Sequence, residues 1–143
     1  MSEKKKYLTY RGACMTWECD SNRHMNVMYF VNKFENAGRN FTNELGLFPD
    51  GLDDKKGLVV VEMYIQYHQE VLEDDVLYVE SCLLDIGNSS YRVLHEMYNG
   101  RTKQKVSEMN LVSVLFNKET RKAMPLTGDM KARMKTMLSS KEN

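Results

Sequence analysis

Two periods divide this chain. Apolar residues at Val27, Phe30, Val31, Phe34, Ala37, Phe41 and Leu45 step by three and four, which describes one face of an α-helix. Lys33, Asn36, Arg39, Asn40 and Asn43 read as its polar face. Asn26 suits an N-cap and Gly46 suits the C′ position, so both ends are punctuated. A stripe holding Phe30, Phe34 and Phe41 predicts a buried, central helix. Past the turn signal Pro49-Asp50-Gly51 the period drops to two. Residues 59–71, 76–86, 91–98 and 105–117 read as strands rich in Val, Leu, Tyr and Phe. Asn99-Gly100 predicts a two-residue type I′ hairpin. The short connections predict that strands two to five are consecutive antiparallel neighbours. Ahead of the helix, Tyr7, Tyr10, Ala13, Met15 and Trp17 alternate loosely and predict a first strand within 7–18. Met130, Met134 and Met137 predict a short helix near the end.

The expected class is therefore α+β, in the order β-α-β-β-β-β. Residues 1–6 read as an N-terminal tail, 7–126 as the domain and 127–143 as a C-terminal helical tail. One helix covers only one face of such a sheet, while several strands carry apolar residues on both. A partner chain is the usual remedy, so a homodimer or homotetramer is expected, with sheets joined edge to edge.

Composition narrows the function. Lys plus Arg and Asp plus Glu each number 20, so no net field favours nucleic acid or an anionic membrane. Lys4-Lys5-Lys6 reads as a solvated end. No apolar run approaches the roughly 18 residues of a membrane span, and no signal-peptide core is present. Cys14, Cys19 and Cys82 have neither metal-like nor disulfide-like spacing, which suits a reducing cytoplasm. No glycine-rich phosphate loop argues for nucleotide hydrolysis. His24, His68 and His95 are isolated, the last two read as polar-phase strand positions, so neither a metal nor another cofactor is expected.

The chemistry concentrates in Asp20-Ser-Asn-Arg-His24-Met-Asn26-Val-Met-Tyr29. A carboxylate, an imidazole and an amide stand just upstream of a helix start, where backbone N–H groups are free and the macrodipole is positive. Such a turn can hold a carbonyl oxygen on Val27 or Met28 N–H while Asp20 attacks or activates water. Asn26 either caps the helix or positions the water. His24 holds the carboxylate or shapes the pocket.

This order and motif resemble the hotdog fold, and within it the acyl-CoA thioesterases related to 4-hydroxybenzoyl-CoA thioesterase. The resemblance rests on Asp20, His24, Asn26 and Tyr29, on Phe34-Glu35-Asn36-Ala37-Gly38-Arg39, on the strand from Glu62 to Val71, and on Ser107-Glu108-Met109-Asn110. It covers roughly residues 7–126. Two departures stand out: Arg23 replaces the usual Gly, and one Asn stands where two are common. The Arg23-His24-Met25-Asn26 form is closer to the betainyl-CoA thioesterase subgroup, in which a His often occupies the position of Tyr64. The resemblance implies hydrolysis of a small or medium acyl-CoA, without a cofactor. It implies Asp20 as base or nucleophile, with His24 and Asn26 beside it, and the oxyanion on Val27 or Met28. Trp17, Tyr29, Glu62, Tyr64 and His68 would form the substrate pocket, the Glu62 face of the second strand being favoured over Tyr67. Trp17, Tyr29 and Tyr64 together would suit an aromatic or quaternary-ammonium acyl group. Ser89, Ser90 and Arg92 would bind CoA, with Arg101 or Lys103 adding phosphate contacts. The rival readings are a hydratase or dehydratase on the same fold, a non-catalytic acyl-thioester binding module, and a carrier-protein thioester in place of CoA.

Overall fold

In the computed structural model, which describes residues 5–138, the chain runs β1 (Tyr7–Ala13), α1 (Val27–Leu45), β2 (Lys56–Tyr67), β3 (Val76–Ile86), β4 (Ser90–Asn99), β5 (Lys105–Asn117), β6 (Lys122–Ala123) and α2 (Gly128–Met137). Residues 1–4 of the expected N-terminal tail, Lys4 included, lie outside the described residues, as do 139–143. The fold is α+β, as expected. Its long strands are all antiparallel and lie in the order β1-β3-β4-β5-β2, with the short β6 paired to the end of β5.

That order corrects the expected meander. Strands β3, β4 and β5 are consecutive neighbours, but β2 lies beyond β5 at the far edge. The reason is the connection. Strand β2 ends at Tyr67, and residues 68–75 leave the ladder and cross to the start of β3. The crossing segment is anchored at Val71, which is buried and whose carbonyl accepts Met25 N–H at 2.7 Å. The hairpin after β4 is also longer than two residues. Asn99 Oδ1 accepts the Arg101 and Thr102 N–H groups, and Lys103 takes the left-handed conformation at φ 65°. The Asn99 side chain thus builds a wider turn than the type I′ form.

Helix α1 has the predicted bounds. Asn26 caps it by accepting Met28 N–H, and Gly46 closes it at φ 74°. Phe30, Phe34, Ala37, Phe41 and Leu45 are buried against the β1, β3 and β4 side of the sheet. Lys33 departs from its expected polar face. It is 2% exposed, because the spacing from Phe30 and to Ala37 keeps it on the apolar side, where Glu18 neutralises it. The first strand also ends earlier than predicted: Thr16–Glu18 form a short 3₁₀ turn, and Trp17 stands on it 71% exposed. Met130, Met134 and Met137 of α2 pack into the same core as α1.

Candidate active site

The loop between β1 and α1 is closed on itself by backbone bonds. Asn26 N–H donates to Glu18 O at 2.8 Å, Asp20 N–H to His24 O at 3.1 Å, and Arg23 N–H to Asp20 O at 2.8 Å. Arg23 turns the chain at φ 65°, a conformation glycine adopts without strain. At the neck of the loop, Glu18 accepts Met15 N–H at 2.9 Å and both its carboxylate oxygens accept Lys33 Nζ at 2.9 and 3.0 Å. This buried ion pair fastens the neck to the second turn of α1.

Within the loop, both oxygens of Asp20 are engaged. Oδ2 accepts Asn26 Nδ2 at 3.0 Å and Oδ1 accepts Asn22 N–H at 2.9 Å. These bonds favour the ionised form, so the carboxyl is held below its ordinary range, the Asn26 amide first among the causes. Asn26 does both things weighed for it. Its amide nitrogen holds Asp20 while its Oδ1 accepts Met28 N–H at 3.1 Å. Of the two expected oxyanion donors, Met28 N–H is therefore taken by the cap. Val27 N–H, the first in the helix, has no such partner among the described residues.

The His24 ring makes no hydrogen bond to the Asp20 carboxylate among the described residues. Its Nδ1 stands 3.4 Å from Met25 O, and the ring lines a cleft of about 310 Å³ with Val27, Phe30, Tyr67 and His68. Tyr67 reaches that cleft from the helix side of the sheet, edge-on to Phe30 at 5.1 Å between centroids. His68 stands just past the strand end and is bonded through Nε2 to Glu108 at 2.9 Å.

The favoured Glu62 face lies elsewhere. Glu62 and Tyr64 pair with Val112 and Asn110 on the side of the sheet away from α1, and Glu62 is bonded there to Arg92 at 3.2 Å. Arg92 also donates to Asn110 Oδ1 at 2.7 Å, so it belongs to that outer face. A bulge between Val60 and Glu62 moves Val60 onto the helix side with Met63. Ser89 and Ser90 sit in the β3–β4 turn, at the opposite end of the sheet from Asp20, where Ser89 O accepts Leu115 N–H. Arg101 and Lys103 lie at the Asp20 end, Arg101 beside Asp75 at 3.3 Å. Trp17, Tyr29 and Tyr64 line neither cleft nor cavity, so one chain does not gather them into an aromatic box.

A larger cavity, of about 600 Å³, opens between the middle of α1 and the β4-β5-β2 half of the sheet. Phe34, Phe41, Leu58 and Leu111 line it with the polar Tyr91, Ser113 and His95, and the charged Glu35, Arg39, Asp53, Lys56 and Lys118 complete the lining. His95 falls at the inward phase of β4 with Tyr91, Val93 and Met97, and is 1% exposed, so it is not a polar-phase residue. Burial pushes its imidazole down to about 4. Its Nδ1 is 2.5 Å from Ser81 Oγ, which in turn is 2.7 Å from Thr9 Oγ1. Sequence reasoning missed Glu18, Lys33 and His95 as members of these sites. The signals were present: Glu18 at capping-box spacing from Met15, Lys33 between Phe30 and Ala37, and His95 two residues from Val93 and Met97.

Comparison with known proteins agrees with the fold. Residues 14–134 match the model of the thioesterase-like superfamily, and the chain belongs to that family. No curated protein sequence matches it. Among solved structures, a predicted thioesterase from Bacillus stearothermophilus superposes with a TM-score of 0.84 at 20% identity, over 96% of this chain and 99% of that one. A 1,4-dihydroxy-2-naphthoyl-CoA thioesterase from Synechocystis gives 0.76 at 14% identity, over 90% and 95%. A hypothetical protein from Staphylococcus aureus, solved in complex with CoA, gives 0.78 at 14% identity, over 99% and 90%. At these identities the likeness establishes the hotdog fold.

Proposed function

We propose that the protein is an acyl-CoA thioesterase that hydrolyses a small or medium acyl-CoA to the free acid and CoA, with Asp20 as its central residue. The observation that carries this reading is the Asp20–Asn26 pair at the start of α1. One amide fixes an ionised carboxylate and caps the helix, and the cap leaves Val27 N–H open. A thioester carbonyl on that N–H would have its developing negative charge met by a backbone donor and the helix dipole. Asp20 then removes a proton from water as the oxygen attacks the carbonyl carbon, or attacks it directly to form a mixed anhydride that water opens. In either course the C–S bond breaks and CoA departs as a thiolate. His24, Tyr67 and His68 border the cleft where the reacting atoms would lie.

The same reading calls for a second copy. Among the described residues strand β2 bonds to β5 on one side only, and Val59, Val60, Val61, Met63, Tyr64 and Tyr67 along it are exposed. An open apolar edge of this length is a template for pairing. Antiparallel pairing of β2 with β2 would set the Lys56 end of one copy beside the Tyr67 end of the other. The Ser89-Ser90 turn of one copy would then share an end of the joined sheet with the Asp20 loop of its partner, uniting residues that a single chain keeps apart. No helix among the described residues is long and apolar enough to cross a membrane. Cys14, Cys19 and Cys82 form no disulfide among the described residues, which suits the reducing cytoplasm as the place of reaction.

The test is release of free thiol from a panel of short, medium, aromatic, long-chain and betainyl CoA thioesters. The reading expects turnover concentrated on one acyl class, with no change in enoyl absorbance. Enoyl chemistry without thiol release would place the protein among hydratases instead.

A further inference from the structure

The larger cavity has an apolar wall of Phe34, Phe41 and Leu111, with charged residues such as Arg39, Lys56 and Lys118 in the same lining, and its buried polar member His95 has an unmet bonding position. His95 Nδ1 is taken by Ser81, but Nε2 has no hydrogen-bond partner among the described residues. Nε2 looks toward α1 at Gly38, the residue whose missing side chain leaves room there. A Cβ at position 38 would stand 3.8 Å from Nε2, in ordinary contact, and would cover it. Glycine is the least favoured residue but proline in a helix interior. Here it leaves an open approach to a buried imidazole nitrogen.

We propose that this cavity takes an acyl group carrying a hydroxyl, and that His95 Nε2 is the residue that recognises it. The proposal rests on the thioesterase reading for the identity of the acyl carrier. The chain Thr9–Ser81–His95 can be oriented either way, since either hydroxyl is able to donate. In one orientation Ser81 donates to Nδ1 and Nε2 carries the proton; in the other Nδ1–H donates to Ser81 and Nε2 is a bare acceptor. A hydroxyl both donates and accepts, so it satisfies Nε2 in either state. Because burial keeps the ring uncharged near neutrality, His95 itself offers no ionic attraction for a carboxylate or phosphate. Arg39, Lys56 and Lys118 line the same cavity, so the hydroxyl preference is read among acids that all carry one carboxylate. Phe34 and Phe41 hold the ring on two sides, stacked at 6.1 Å and edge-on at 6.4 Å, so Nε2 is fixed in direction. A purely apolar group in the cavity would exclude water and leave Nε2 unpaired, a penalty on the order of tenfold to a hundredfold in affinity.

The test uses free ten-carbon fatty acids, unsubstituted or hydroxylated at successive positions, with binding read by titration and by the ¹⁵N resonance of His95 Nε2. One hydroxylated isomer is expected to bind roughly tenfold to a hundredfold more tightly than the parent acid and to shift that resonance. His95→Phe and Gly38→Ala should each abolish the preference, the second in a helix made more regular, so that misfolding does not obscure the result. Equal binding of all the acids, binding of none, or a preference that survives in His95→Phe would overturn the proposal. Thiol release is scored separately. A hydroxyl preference in a protein that cleaves no thioester would overturn the thioesterase reading and leave this site standing.

Discussion

Asn26 is the residue on which the candidate site turns, because its one side chain serves both the helix and the carboxylate. Replacing it by Ala removes a cap worth about 1 kcal/mol and frees Asp20 Oδ2. The Asn26 bond is the main cause of the lowered Asp20 pKa, so the acid limb of the pH–rate profile should move upward in Asn26→Ala. A profile recorded from pH 3 to 8 checks this; an unmoved limb would separate Asp20 from the titration. His95 makes a prediction on stability. Its pKa falls from 6.5 in the unfolded chain to about 4 when folded, so the unfolded state binds the extra proton in between. The contribution is full above pH 6.5 and is lost as pH falls towards 4, about 3 kcal/mol in all. Denaturant titrations across that window should show the slope in the wild type and not in His95→Phe.

At the scale of elements, α1 was legible because its caps and its phenylalanine spacing agree. Lys33 was not, since residue type outweighed position: a lysine reads as solvent-facing until its neighbours on the helical wheel are counted. The structure resolves the conflict with Glu18, at side-chain distances of 2.9 and 3.0 Å. Removing one partner leaves a buried charge, so Lys33→Ala should cost about 3–5 kcal/mol in chemical denaturation. Replacing both partners by apolar residues of similar size should recover most of it. Recovery that is absent would mean the pair does more than neutralise itself. The faces of β2 were misjudged for a different reason. The alternation that separates Glu62 and Tyr64 from Tyr67 was readable, but which of the two faces meets α1 depends on the neighbours of β2 in the sheet; the bulge between Val60 and Glu62 changes only the phase of the residues before it. The place of β2 in the sheet was equally hidden, because it depends on where the 68–75 segment leaves the ladder.

For the whole molecule, the unpaired β2 edge and the split of expected site residues between the two ends of the sheet point the same way. The proposed self-association through β2 would both cover the exposed valines and complete the site. A charge in the middle of the edge, Val61→Lys, should therefore shift the protein to monomer in sedimentation and reduce thiol release by at least about tenfold. Monomers that keep full activity would show that one chain suffices. The general order of elements and the Asp20–Tyr29 motif were readable from patterning, whereas the cavity and His95 required the strands to be in register. The most direct test of the central claim is the rate of thiol release by Asp20→Asn beside the wild type, on whichever thioester the wild type cleaves best. The amide keeps the size of the side chain and removes its charge, so the account predicts a fall of at least about a hundredfold with the fold intact. Equal rates in the two proteins would contradict it and move the chemistry away from the start of α1.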